Sequence, residues 1–242
     1  MTPLSGSRTL ADGLTLEILQ DTHTIELRAA SWIAGTLIRV ASSQSRCVLA
    51  ISGGRSPWPM FGRLAEDPAV PWDRVHIMQV DERVAPEGHP DRNWTEAART
   101  FGPVVPASNL HPMPVEARDL EAACDRYARL LEKLTAGHGL CIAHLGLGTD
   151  GHTASLFPTD SILEVRNRAV AITGNEHGGR RRMSLTFPAL ANAHRLLWQV
   201  QGASKAEMLA RLLAGDERIP AGRVRRDTAL VIADVAASSS ED

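Results

Sequence analysis

The sequence predicts an α/β protein built on a mostly parallel sheet, and three observations carry that expectation. Five short runs, 46–51 (RCVLAI), 74–80 (RVHIMQV), 140–145 (LCIAHL), 195–200 (RLLWQV) and 228–234 (TALVIAD), are largely apolar without the alternation of a half-exposed strand, as strands buried on both faces are. Segments of helical period at 25–41, 119–134 and 204–215 lie between several of them. The alternation of strand and helix implies βαβ units, whose crossovers leave neighbouring strands parallel. The 242 residues are 43% apolar and 22% charged, enough to bury a sizeable core.

Each element has a local reason. The 119–134 segment sets Leu120, Cys124, Tyr127, Leu130, Leu131 and Leu134 on one stripe, with Glu121, Arg126, Arg129 and Lys133 elsewhere, so the stripe reads as core. The 25–41 segment carries Trp32 on a face that also reads as core. The proline-rich stretch 101–117 and the basic, glycine-rich stretch 174–182 read as loops. No repeat or low-complexity linker divides the chain, which reads as one domain over 1–242.

A formal charge of −2 gives no field to recruit nucleic acid or an anionic membrane, so any anion must be bound locally. The first residues lack the basic flank and apolar run of a signal peptide, and no stretch of about eighteen apolar residues occurs, which predicts a cytoplasmic protein without a membrane partner. Cys47, Cys124 and Cys141 lack metal-type spacing and read as buried, reduced thiols.

In open α/β sheets ligands bind beyond the carboxyl ends of the strands, so the residues that follow each strand are where chemistry is sought. After 46–51 comes SGGRSP: Ser52, Gly53, Gly54, Arg55, Ser56 and Pro57. The glycines let backbone amides approach a ligand, Ser56 can cap a helix and Pro57 suits its first position, which together make a phosphate cradle. The alternative is a tight turn without a ligand; the Walker lysine pattern is absent, which argues against a nucleoside triphosphate. After 74–80 come Asp81, Glu82 and Arg83, three charges that must face a cleft or pair with one another.

After 140–145 comes HLGLGTDGHTASLFP, with Gly146, Gly148 and Gly151 in the G-x-G-x-x-G spacing of a dinucleotide loop. That reading needs a long helix after the third glycine and an acidic residue roughly twenty positions on, at the end of a second strand. Pro158 interrupts the segment instead, and no clear strand ends at Asp160, Glu164 or Glu176. The same loop sets Asp150 two residues before His152. An imidazole exchanges protons near neutral pH and a carboxylate can orient it, so general base catalysis is the sharper reading; a histidine that only hydrogen-bonds its loop is the plainer one. A metal site from His144, Asp150 and His152 is disfavoured because His144 sits within the strand. Further on, Arg182 and Lys205 offer a guanidinium fork and a point charge for a phosphate, or are solvated surface cations.

The pieces SGGRSP, VDERVAPEGHPDRNW, LGLGTDGHTASLFP, RRMSLTFPALANA, QGASKAEML and VIADVAA, in that order over nearly the whole chain, resemble the glucosamine-6-phosphate isomerase/6-phosphogluconolactonase family, and within it the 6-phosphogluconolactonases. The resemblance implies a three-layer, Rossmann-like fold related to glucosamine-6-phosphate deaminase and ribose-5-phosphate isomerase, without a dinucleotide. It implies hydrolysis of 6-phospho-D-glucono-1,5-lactone with His152 as base and Asp150 orienting it. Substrate or phosphate binding would fall to Ser52, Gly53, Gly54, Arg55, Ser56, Asp81, Arg83, Asn93, Gly148, Arg182 and Lys205, and amides near Gly53 or Gly148 would meet the oxyanion. No cofactor or metal is implied, and the partner is a small sugar phosphate, with the protein a monomer or homodimer. There are two departures from the family pattern: Arg55 and Ser56 stand where serine and threonine are common, and Arg92 stands beside Asn93 where serine is. Two rivals follow. A deaminase-like isomerase calls for Asn-Glu-Pro after the phenylalanine, whereas Phe157 is followed directly by Pro158. A non-catalytic sugar-phosphate sensor would have no need of Asp150 and His152.

Overall fold

The computed structural model describes residues 6–239. A hairpin of β1 (Gly6–Thr9) and β2 (Thr15–Leu19) precedes helix α1 (Thr22–Ala41). There follow β3 (Cys47–Ile51), α2 (Trp58–Ala65), β4 (Val75–Gln79), β5 (Asp81–Arg83), α3 (Asn93–Phe101), α4 (Leu120–Thr135) and β6 (Ile142–Leu145). The remainder comprises β7 (Val170–Ile172), β8 (Arg182–Leu185), α5 (Phe187–Ala191), β9 (Leu196–Val200), α6 (Ala206–Leu213), β10 (Ala229–Asp234) and α7 (Val235–Ser238).

The main sheet runs β1-β2-β10-β9-β6-β3-β4 and is parallel throughout except for β1 at its edge. All five strands predicted from apolar runs are in it, because each is covered on both faces. Along β3, Val48 and Ala50 enter one apolar cluster with residues of α4 and α6. Cys47, Leu49 and Ile51 enter the other, with α1, α2 and α3. Helices on both sides of a sheet make the three layers that the resemblance implies. The three cysteines are free and buried, and no helix among the described residues is long and apolar enough to cross a membrane.

The helix caps explain the ends that apolar periodicity misplaces. Asp21 accepts from Thr24 N at 2.8 Å and starts α1 ahead of its apolar stripe, and Asp119 does the same for α4 through Ala122 N at 3.0 Å. The SGGRSP reading needs one correction. Pro57, not Ser56, holds the cap position of α2, no side chain caps that helix, and Pro59 sits in its first turn. The predicted stripe on α4 does face the core, with Cys124, Tyr127, Leu131 and Leu134 buried.

A second sheet, β5-β8-β7, is antiparallel and was not expected. Its strands have three or four residues, too short for a period to be read from sequence. The run MSLTF is accordingly split: the strand begins one residue earlier, at Arg182, and Phe187 opens α5.

Candidate active site

A cavity of about 230 Å³ opens at the carboxyl ends of β3, β6 and β9, closed on one side by the small sheet. Ser52, Gly53, Gly54, Arg55, Ser56, Asp81, Arg83, Asn93, Gly148, His152, Arg182 and Lys205 all line it. Of the predicted site residues only Asp150 does not touch the cavity; it stands behind His152.

The turn after β6 is built around that pair. Asp150 Oδ1 accepts from His152 Nδ1 at 2.5 Å and from His152 N at 3.1 Å. The imidazole beside it holds the Asp150 carboxyl down at about 2, so it is ionised across the neutral range. A proton on Nδ1 leaves Nε2 as the acceptor. Phe157 braces the ring with its centroid 4.4 Å from that of His152, and is itself stacked on His177 at 3.8 Å. His177 is held in turn by Asp160.

The glycine spacing has a local cause. A Cβ on Gly148 would collide with His152 Nδ1 and Asp150 Oδ1, and Gly151 has φ +81° with Ile219 where a side chain would go. Gly148 makes room for the histidine and its aspartate, and Gly151 for Ile219. Gly148 N is itself committed to His152 O at 2.8 Å, so it is not free to meet an oxyanion, and that expectation is withdrawn for Gly148.

Cations line the cavity around the His152–Asp150 pair. Arg83 and Arg182 are directly paired across β5 and β8, an arrangement of like charges that costs stability. Arg83 donates to Asp91 O at 2.7 Å, but its buried Nε has no partner among the described residues. Arg182 lies with its guanidinium carbon 5.3 Å from the centre of the Phe157 ring and donates to His177 O at 3.0 Å. Burial lowers the pKa of both Arg182 and Lys205, with Asp150 partly restoring that of Lys205. Arg55 is exposed at the rim.

The three charges after β4 separate by role. Glu82 is fully buried and accepts from Gln79 Nε2, Arg83 N, Asn93 N and Trp94 N at 2.8–2.9 Å, with Arg92 Nε at 3.3 Å. It fixes the start of α3 and is the structural member of the trio. Asp81 Oδ2 accepts from Ser155 Oγ at 2.6 Å, tying the His152 loop to β5. Asn93 fills the space a Cβ on Gly53 would take, which lets the first turn of α3 meet the SGGRSP loop.

Two buried polar lining residues were missed. His144 and Gln199 sit within the apolar runs and were assigned to strand interiors, where they do lie, but at the strand ends that form the cavity wall. Ser52 Oγ is 2.7 Å from His144 Nδ1. Burial pushes the His144 pKa down to about 4, only partly opposed by the Gln199 amide, so the ring is neutral. The signal was a histidine and a glutamine in otherwise apolar strands, costly places for polar side chains. Among the described residues, no group of three or more His, Cys, Asp and Glu side chains is arranged to hold a metal.

The family model described as glucosamine-6-phosphate isomerases/6-phosphogluconolactonase matches residues 20–232. A 6-phosphogluconolactonase of Synechocystis is 33% identical over 206 residues, 82% of this chain and 85% of the relative. One of Streptomyces coelicolor is 30% identical over 249 residues, 95% of both chains. Among solved structures, a 6-phosphogluconolactonase from Thermotoga maritima superposes with a TM-score of 0.80 at 26% identity, over 90% of this chain and 98% of the other. A monomeric glucosamine-6-phosphate deaminase shares the fold, with a TM-score of 0.79 at 22% identity over 92% of this chain and 98% of the other. The sheet order, the glycine that makes room for the His152–Asp150 pair and these matches lead to one conclusion: the chain belongs to the glucosamine-6-phosphate isomerase/6-phosphogluconolactonase family.

Proposed function

We propose that this protein is a 6-phosphogluconolactonase of the oxidative pentose phosphate pathway, acting in the cytoplasm on 6-phospho-D-glucono-1,5-lactone. The observation that carries the reading is the His152–Asp150 pair, 2.5 Å apart, in a cavity that is also lined by the cross-strand pair Arg83 and Arg182. Two opposed guanidiniums are relieved by a dianion, and a phosphate is one.

In this mechanism His152 Nε2 takes a proton from water as the water oxygen attacks the lactone carbonyl. The tetrahedral intermediate collapses with cleavage of the bond from the carbonyl carbon to the ring oxygen, and the imidazolium returns the proton to that oxygen. Asp150, ionised at about 2, stabilises the imidazolium and keeps Nε2 turned to the cavity. Arg83, Arg182 and Lys205 hold the 6-phosphate, with the SGGRS amides contributing, and that remote binding energy positions the carbonyl. A lactone is an activated ester, so a base-assisted water suffices and chelators should leave the rate unchanged. The cavity draws on segments from Ser52 to Lys205, which supports treating the chain as one functional unit.

The test follows hydrolysis of freshly generated lactone with the spontaneous rate subtracted. Acceleration by the wild type, lost in a folded His152→Ala variant, is expected. No acceleration above the blank sinks the lactonase reading, and ammonia release from glucosamine 6-phosphate would redirect it to the deaminases.

A further inference from the structure

We propose that Ser52, His144 and Gln199 form a neutral polar subsite that reads the hydroxyl groups of the sugar, apart from the cationic wall that takes its phosphate. The proposal rests on the sugar-phosphate reading above and deepens it.

The three residues stand at the carboxyl ends of the adjacent parallel strands β3, β6 and β9 and line the same cavity. They are almost sealed from solvent: His144 is 1% exposed, and Ser52 and Gln199 are 7% exposed. His144 Nδ1 is satisfied by Ser52 Oγ at 2.7 Å. His144 Nε2 and both amide atoms of Gln199 are buried without a well-formed hydrogen bond among the described residues, although the Gln199 side chain lies close enough to His144 to raise its pKa against the effect of burial. Buried polar atoms are nearly always paired, so orphans gathered in a cavity wall point to a ligand that completes them. Packing does not explain them, since Phe61 meets the His144 ring edge-on at 5.0 Å, a contact a leucine could equally make.

The chemistry of the set selects the ligand. An amide offers donors and an acceptor together, a neutral imidazole nitrogen offers one or the other, and a serine hydroxyl can do both. Hydroxyl groups, each a donor and an acceptor, match such a wall. A phosphate does not, because it needs donors only and prefers charge. Burial keeps His144 uncharged, in line with that choice. Substrate recognition is thereby divided between charge at Arg83, Arg182 and Lys205 and neutral hydrogen bonding at the deeper wall.

The test compares two ligands of the full-length protein by calorimetry: 6-phosphogluconate, and 6-(phosphonooxy)hexanoate, which keeps the phosphate and carboxylate but has no hydroxyls. Wild type should prefer the gluconate at least tenfold. His144→Leu and Gln199→Leu should each weaken gluconate binding roughly tenfold, the scale of one or two lost hydrogen bonds. Each should leave hexanoate binding within about twofold, with an unchanged or higher Tm. Equal weakening of both ligands, or a lowered Tm, would assign the cluster to the structure of the SGGRSP turn and overturn the proposal. So would equal affinity of the wild type for both ligands, a result that stands even if the variants fail to fold. Wild-type lactone turnover without hydroxyl preference removes the subsite alone; hydroxyl preference without turnover removes the lactonase reading alone.

Discussion

His144 and His152 lie on one strand and its following loop and line one cavity, yet their surroundings are opposite. The His152 side chain is 31% exposed and bonded to a carboxylate. His144 is 1% exposed, bonded to a serine hydroxyl, with its pKa pushed to about 4. An imidazole held by a carboxylate at one nitrogen and open to solvent leaves its other nitrogen free to meet a ligand. One that is buried behind a hydroxyl is a fixed neutral hydrogen-bonding group. The partner, more than the residue type, sets the role.

The strongest way to break the comparison is His152→Ala. We expect a loss of about 10²–10⁴-fold in kcat, the usual share of a general base, measured against the spontaneous rate. Wild-type activity in that variant would leave the two histidines without functional distinction. Gly148→Ala should come next, with roughly a hundredfold loss at retained helicity by circular dichroism, because the added methyl displaces the imidazole and its aspartate together.

The contrast can also be sharpened from the buried side. A neutral buried His144 has a folded pKa of about 4, below the ordinary 6.5, so the unfolded chain binds the additional proton between those values. Stability from this group is complete above pH 6.5 and is lost as pH falls toward 4, on the order of 3 kcal/mol at most. Denaturant titrations across that window should show the fall, and His144→Leu should flatten it. Depression of His111 to about 4 acts in the same sense, so a remainder will persist. The smallest effect is expected at the rim, where Arg55→Ser should raise KM a few-fold and make it less salt-sensitive, since an exposed charge contributes about 1 kcal/mol or less.

Much of this was legible because the physics is local. A strand covered on both faces must be apolar throughout, which marked the parallel sheet. Asp150 and His152 are neighbours in sequence, so their pairing needed no tertiary information. The small sheet was hidden because pairing of Asp81–Arg83 with Arg182–Leu185 joins residues distant in sequence through very short strands. His144 and Gln199 were hidden for another reason. Their positions were read correctly as strand, but whether a strand residue faces core or cavity depends on where the neighbouring strands stop.

Glu82 is the one buried carboxylate through which β5, the first turn of α3 and the end of β4 are joined. The three-stranded sheet, with strands of three and four residues, has little cohesion of its own, so its opening should be locked to that of the larger sheet through this residue. In Glu82→Gln the amides of β5 and β8 would exchange with solvent well before those of β3 and β6. One cooperative unit would become two, and the arginine pair would come adrift together with the Ser155 anchors of the histidine loop on Asp81 and Ser184.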